Sequence, residues 1–463
     1  MKIIRSYDEL FKVLNLKDSI TVSFHHHLRN GDYVLNNTLL EMAKLNIKDI
    51  TLAASGVFPC HEPIVPLVEN GTISSIYCNY LNGAVAKTVS AGNLKGNLVM
   101  QTHGGRPRSI EAGELVIDYA FIAVSAVDPQ GNANGVDGKT VLGPIGYSIS
   151  DAKCAKTTIL VTDSLVDELS FNEIKAEWVD YVLVLDEIGD QNKIQSGTTS
   201  VTKNPVALKI ARDTVQVIED TGYLKNGMSF QTGAGGTSLA VAKYLKKKMI
   251  NQNIKGSFAS GGITGFLVDM LELGLFEELY DVQCFDLDAV ASVKRNKNHH
   301  IMTASEYANP DASPIVDKLD VMILGAAEID LDFNVNVTTD SYGNIMGGSG
   351  GHSDTAEGSK LAIVVTNLVK ARTPIVVDEV ITKTTPGSSI DILVTEYGVA
   401  VNPLRKDLFN ALQKSELNIK SMNELREIAK KLVGQEKEFK PSGRRIGYVE
   451  YRDGTVIDYL KAV

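Results

Sequence analysis

Short apolar runs alternate with amphipathic stretches along the whole chain. Residues 50–54, 97–101, 119–124, 158–162 and 181–185 read as buried strands, as do 321–324, 362–366 and 375–377. Between them, 204–220 and 236–252 repeat their apolar positions at helical spacing. Continuous apolar strands separated by helices predict open α/β layers with largely parallel sheets, because crossover helices cover both faces of such a sheet.

The pattern also repeats itself. Ser23-Phe24-His25-His26-His27 is echoed by Ser229-Phe230-Gln231-Thr232-Gly233, and Asn46-Ile47-Lys48-Asp49 by Asn253-Ile254-Lys255-Gly256. The run from Asp118 on to Asp128, Asn132 and Asn134 is echoed by the run from Asp320 on to Asp330, Asn334 and Asn336. Asp151 with Lys156 matches Asp354 with Lys360. These collinear matches at a nearly constant offset predict two similar α/β domains related by internal duplication. Ser, Gly, Thr and Asn cluster at 196–204 ahead of Pro205, which places the join there and gives domains 1–200 and 201–463.

Three Gly-rich segments fall in the second half. Thr232-Gly233-Ala234-Gly235-Gly236-Thr237-Ser238 precedes a helix, so its backbone N–H groups can meet an anion or a thioester carbonyl. It lacks the Lys of a P-loop, and Ser238 stands where a dinucleotide fingerprint needs its third Gly. A tight turn without a ligand fits this motif as well. Ser257-Phe258-Ala259-Ser260-Gly261-Gly262-Ile263-Thr264-Gly265 follows at the end of the next strand, so both segments should open on the same sheet edge. Gly347-Gly348-Ser349-Gly350-Gly351-His352-Ser353-Asp354 has little intrinsic order and the look of a ligand-wrapping loop.

The first half offers charge instead. His25-His26-His27-Leu28-Arg29-Asn30-Gly31-Asp32 takes the place of the 232–236 loop. Adjacent histidines diverge along a strand, which favours an anion site or satisfied core histidines over a metal. Gln101-Thr102-His103-Gly104-Gly105-Arg106-Pro107-Arg108 sets two arginines beside a Gly pair, suited either to carboxylate recognition or to a solvated loop.

Composition narrows the partners. At 463 residues the chain exceeds one ordinary core. A formal charge of −10 gives no basic field for a nucleic-acid backbone. No apolar run approaches the roughly 18–20 residues that cross a bilayer. The charged N-terminus lacks signal-peptide character, and the four scattered cysteines suggest neither a zinc site nor a disulfide framework. The expectation is a cytoplasmic protein with no nucleic-acid or membrane partner and no metal.

Taken together, SFHHHLRNGDYV (23–34), THGGRPRSIEAGE (102–114), DPQGNANGVDGK (128–139), FQTGAGGTSLA (230–240), GGITG (261–265), YANP (307–310), EIDLDFNVNV (328–337), GGSGGHSDTAEG (347–358) and YGVAVNP (397–403) cover nearly the whole chain. The sequence resembles the citrate lyase alpha subunit family of the CoA-transferase superfamily, with a shorter start. The resemblance implies two tandem CoA-transferase-type (NagB/RpiA-like) α/β domains. It implies a transferase that exchanges acetate for citrate on the phosphopantetheine-type thiol of an acyl carrier protein or of CoA. No tightly bound cofactor is implied. The implied partners are citrate, acetyl-CoA or acetyl-carrier, and the beta and gamma (acyl carrier) subunits of an oligomeric citrate lyase complex. Where the best-known transferases carry a catalytic Glu, the counterpart here is Ser260, which implies no covalent enzyme intermediate.

On that reading a citrate carboxylate attacks the acetyl thioester, and a mixed anhydride forms. The expected oxyanion donors lie at Gly235, Gly236, Gly261 and Gly262 around Ser260. Arg29, Arg106 and a protonated His26 are candidates for the tricarboxylate. His103, Asn132, Gly233, Glu328, Asn334, Gly350, Gly351, His352 and Asp354 are further candidates for binding citrate or the thioester. Three rivals stand beside this reading. One is a transferase using free acyl-CoA with citramalate or a monocarboxylate. Another is a non-catalytic ligand sensor on the same fold. The third is a sugar-phosphate isomerase with Asp354 or Glu328 as its base.

Overall fold

The computed structural model describes residues 2–195, 201–233, 235–434 and 442–463. The join read at 196–204 therefore lies partly outside the described residues. Two large sheets dominate. The first runs, edge to edge, Lys2–Ile4, Tyr181–Val184, Thr157–Thr162, Tyr119–Ala123, Thr21–Phe24, Ile50–Ala54, Ile73–Cys78, Leu98–Met100, Arg445–Glu450 and Val456–Lys461. The second runs His299–Ile301, Phe276–Cys284, Gly256–Ile263, Phe230–Thr232, Val321–Leu324, Leu361–Val365, Ile392–Thr395 and Gly398–Val401. In each sheet the pairings are parallel except for the terminal hairpin.

Read from Tyr181–Val184 to Leu98–Met100, the first sheet has the strand order that the second shows from Ile392–Thr395 to His299–Ile301. The registers refine the echo seen in the sequence. Asp118 Oδ2 accepts from the Thr21 backbone N–H, and Asp320 Oδ2 from that of Ser229. Thr21, not Ser23, is thus the structural counterpart of Ser229. Alternation along a strand has period two, so a two-residue slip leaves every side chain on its own face and hides in the sequence.

Strand Val321–Leu324 shows why such runs read as continuously apolar. Val321 and Ile323 enter one core cluster, while Met322 and Leu324 enter another on the opposite face. Helix Pro205–Asp220 begins where the sequence indicates: Asn204 accepts from the Val206 and Ala207 N–H groups, and Pro205 occupies the first turn.

Two expectations change. The segment at 375–377 forms Val376–Val377 in a separate three-stranded sheet, not in the main layer. The C-terminal hairpin does not stay with the second sheet. Arg445–Glu450 pairs in parallel with Leu98–Met100, so the chain returns to close the first sheet, and 201–463 is not one uninterrupted unit. A two-stranded ribbon is only marginally stable alone and gains a packed neighbour by this addition.

Candidate functional site

Where the two sheets face each other, loops from both enclose a cavity of 260 Å³. His103 and Tyr147 come from the first half. Gln231, Thr232, Gly233, Gly262, Phe285, Tyr307, Gly348, Ser349, Gly351 and His352 come from the second. The cavity is assembled by crossing hydrogen bonds. The His103 backbone N–H donates to Gly350 O at 2.7 Å, and that of Gly350 to Asn79 O at 3.1 Å. Asp354 accepts from Thr102 Oγ1 at 2.7 Å and from the Gly104 N–H at 3.1 Å. Gln283 Nε2 donates to His26 O at 3.1 Å. Gly104 must be glycine here, since a Cβ would collide with Ala308 O.

The 347–351 loop therefore joins the halves as well as lining the cavity, and the Gly350 N–H is engaged. Asp354 is buried, which pushes its carboxyl up to about 7 against the lowering effect of Thr102. Its contacts are with the 102–104 turn, and it is not among the cavity residues.

Ser260 lies in strand Gly256–Ile263, not in a turn. The strand carries a bulge between Gly261 and Gly262, with Gly261 at φ +99. The Ser260 hydroxyl donates to Gln231 Oε1 on the neighbouring strand at 3.0 Å; Gln231 Nε2 donates to Tyr307 Oη at 2.7 Å. Gly262 backs onto the Phe285 ring, where a Cβ would clash. Gly235 caps helix Gly236–Gln252, which Gly236 opens; both follow strand Phe230–Thr232, and neither is among the cavity's lining residues. Lys246 on that helix pairs with Asp269, which removes part of its basic face.

Burial disfavours the charged form of the histidines at the site. Burial holds His26 well below its usual range, with His103 and Arg29 nearby adding to the effect. His103 falls to about 3 through burial and the neighbouring Arg106. Their rings stack: His26 lies 4.9 Å and His103 4.4 Å from the Tyr147 ring. A protonated His26 is therefore disfavoured, and of these two histidines only His103 lines the cavity. His352, lowered to about 4 by burial, donates from Nε2 to Gly325 O at 2.9 Å and meets Thr385 Oγ1 at 2.7 Å through Nδ1.

Several candidates prove to be framework. Arg106 is 2% exposed and donates to Asp151 Oδ2 at 2.9 Å and to Ala53 O at 3.1 Å, beneath the cavity wall. Arg29 packs over Phe58 and, at 4.9 Å, over the cavity residue Phe285. Asn132 and Asn334 each close an Asx-type turn, donating to Asp128 and Asp330 respectively. Glu328 accepts from Asn336 Nδ2 and the Ile381 N–H and borders a different crevice, so neither it nor Asp354 offers an isomerase base in the cavity. Sequence reasoning assigned no role to Tyr147, Gln231, Phe285, Tyr307 or Ser349. Gln231, Tyr307 and Ser349 stand inside the FQTGAGGTSLA, YANP and GGSGGHSDTAEG motifs, which was the available signal.

Among the described residues, no group of three or more His, Cys, Asp or Glu is placed to hold a metal, and no helix is long and apolar enough to cross a membrane.

Comparison with known proteins completes the picture. The family model for citrate lyase, alpha subunit (CitF), matches residues 1–463. The citrate lyase alpha chain of Klebsiella pneumoniae is 42% identical, over 100% of this chain and 91% of its own length. A Streptococcus mutans protein described as a citrate lyase alpha subunit, solved in complex with citrate, superposes with a TM-score of 0.97 at 42% identity, covering 100% of this chain and 91% of that one. The malonate decarboxylase alpha subunit of Acinetobacter baumannii shares the fold at a TM-score of 0.70 and 16% identity, over 94% and 85% of the two chains. From its first residue to its last, the chain belongs to the citrate lyase alpha subunit family and is an enzyme subunit.

Proposed function

We propose that the chain transfers an acyl-carrier thiol from acetate to citrate, and that the cavity between the sheets is where the exchange takes place. The observation that carries this reading is the chemistry of the lining. Among the described residues around the cavity there is no Asp, Glu or Cys to serve as an acyl-accepting nucleophile, whereas neutral hydrogen-bond donors abound. A site of that kind suits a reaction whose nucleophile arrives with the substrate, already charged.

The steps balance without a protein nucleophile. A citrate carboxylate oxygen adds to the acetyl carbonyl, the C–S bond breaks, and a thiolate leaves with a citric–acetic anhydride in place. The thiolate then adds to the citryl carbonyl, the anhydride C–O bond breaks, and acetate departs. No net proton is needed. Each addition builds negative charge on a carbonyl oxygen, which polar donors lining the cavity stabilise. Ser260, occupied with Gln231, fits the absence of a covalent enzyme intermediate. An adjoining crevice of 380 Å³ shares Gly325 and Val337 with the cavity and continues past Tyr342 and Lys370, which supports it as the approach for the pantetheine arm. Partnership with the beta and acyl-carrier subunits, and the division at 200/201 amended by the returning hairpin, belong to the same proposal. So does internal duplication, which the shared strand order supports.

The experiment incubates the protein with acetyl-CoA and citrate and follows citryl-CoA and acetate. Intact mass with acetyl-CoA alone should show the unmodified chain. Formation of a stoichiometric acyl or CoA adduct, or failure to produce citryl-CoA and citryl-carrier alike, overturns the reading.

A further inference from the structure

The buried row Ser260, Gln231 and Tyr307 has a direction. Ser260 Oγ donates to Gln231 Oε1 at 3.0 Å, and Gln231 Nε2 donates to Tyr307 Oη at 2.7 Å. An amide nitrogen has no lone pair to accept with, so the phenol oxygen is the acceptor in that bond. Its own proton is left to point elsewhere. Tyr307 and Gln231 both line the cavity, and Gly351 lets the glycine loop approach the phenol oxygen closely, since a Cβ there would lie 2.5 Å from Tyr307 Oη.

We propose that Tyr307 donates its O–H to the oxyanion of the tetrahedral intermediates, with Ser260 and Gln231 as positioning residues that aim it. The proposal rests on the acyl-exchange reading of the cavity and adds to it a donor that no glycine N–H supplies. Supporting features converge on the same side chain. Thr303 and Glu306 form a capping box that fixes the short helix Ala304–Ala308 carrying Tyr307. Burial pushes the phenol above its usual range, so it remains a donor at neutral pH. Gly261 leaves space for the Gln231 amide, with which a Cβ would collide.

The row also accounts for a hydroxyl at position 260. An ionised carboxylate there could only accept, would draw the Gln231 NH₂ towards itself, and would turn Oε1 to Tyr307. The phenol proton would then be captured by the amide. A hydroxyl at 260 can donate, and so permits the polarity that runs towards the cavity.

The test compares wild type, Tyr307→Phe, Gln231→Glu and Ser260→Ala in acetyl-CoA plus citrate turnover, with thermal unfolding and citrate calorimetry on each. Tyr307→Phe should lower kcat by about 10²–10³ while citrate KM moves less than about threefold, as loss of one oxyanion donor does. Gln231→Glu keeps the volume but reverses the row, and should lower kcat comparably; it decides the matter if Tyr307→Phe does not fold. Ser260→Ala should cost about tenfold alone and nothing further in the Tyr307→Phe background, since coupled residues are not additive. An inactive wild type removes the acyl-exchange reading itself. An active wild type with folded Tyr307→Phe or Gln231→Glu near its kcat overturns the role of Tyr307 alone.

Discussion

Arg106 stands beside two glycines in the sequence and resembles a substrate-binding arginine, yet its guanidinium lies under the cavity against Asp151, itself 1% exposed. Arg106→Ala should therefore act on stability before it acts on citrate. Removing one partner of a buried pair costs about 3–5 kcal/mol, because the other charge is left without compensation. A second route to the number agrees. The abandoned Asp151 carboxyl can escape by taking up a proton, which from an ordinary carboxylate value of about 3.9 costs about 4 kcal/mol at pH 7. At pH 5 the same uptake costs about 1.5 kcal/mol, so the defect should shrink on acidification. Chemical denaturation of Arg106→Ala at the two pH values reads this directly, and adding Asp151→Asn should recover much of the loss at pH 7. A variant with wild-type unfolding free energy and a strongly raised citrate KM would refute the argument and return Arg106 to the substrate.

Glu173 is buried with its Oε1 accepting from the Ile145 N–H, and desolvation raises its carboxyl to about 8, with Asp281 adding to the effect. The folded state holds that proton up to about 8 and the unfolded chain releases it near the usual value, so stability is lost as pH rises between them. Glu173→Gln should gain on wild type by on the order of a few kcal/mol from pH 5 to pH 8 in thermal or chemical unfolding; a gap independent of pH would disprove it. Gly261→Ala forces a Cβ onto the Gln231 amide at a positive φ and should lower kcat about 10–100-fold, with stability falling by about 1–3 kcal/mol. Gly235→Ala, at φ −174 with its nearest neighbour at 3.7 Å, should be close to neutral in unfolding; equal damage from both would detach the effect from Gln231.

Local information in this chain is strong wherever a residue's environment is dictated by its neighbours in sequence. Strands Ile50–Ala54 and Val321–Leu324 and helix Gly236–Gln252 begin and end where the apolar spacing puts them. Contacts between distant segments leave no such mark. Nothing in 445–461 says that this hairpin will extend a sheet whose adjacent strand is Leu98–Met100. Asn132 and Asn334 recur because the same Asx-type turn is built twice, and Asp340 with Asn344 builds it again. Repetition in sequence reports shared backbone geometry before it reports shared chemistry.

The histidine cluster shows how burial reverses a sequence-level inference about charge. Three consecutive histidines and Arg29 suggest a cationic pocket for a tricarboxylate. Folding instead buries His25, His26, His27 and His103, which lowers all four; neighbouring histidines add to the effect at His26 and His27, and Arg106 at His25 and His103. Neutral rings cannot hold an anion by net charge; Arg29 packs over the cavity residue Phe285, and Arg106 is engaged with Asp151. On the proposed reading, citrate recognition in this cavity rests mainly on directed hydrogen bonds and on backbone N–H groups. That arrangement also favours turnover: a site that bound the three carboxylates through a dense cluster of cations would stabilise the ground state, including the carboxylate that has to attack, as strongly as the transition state. Neutral donors aimed at the carbonyl oxygen contribute most when charge has moved there, and Tyr307 at the end of its row is placed to do so.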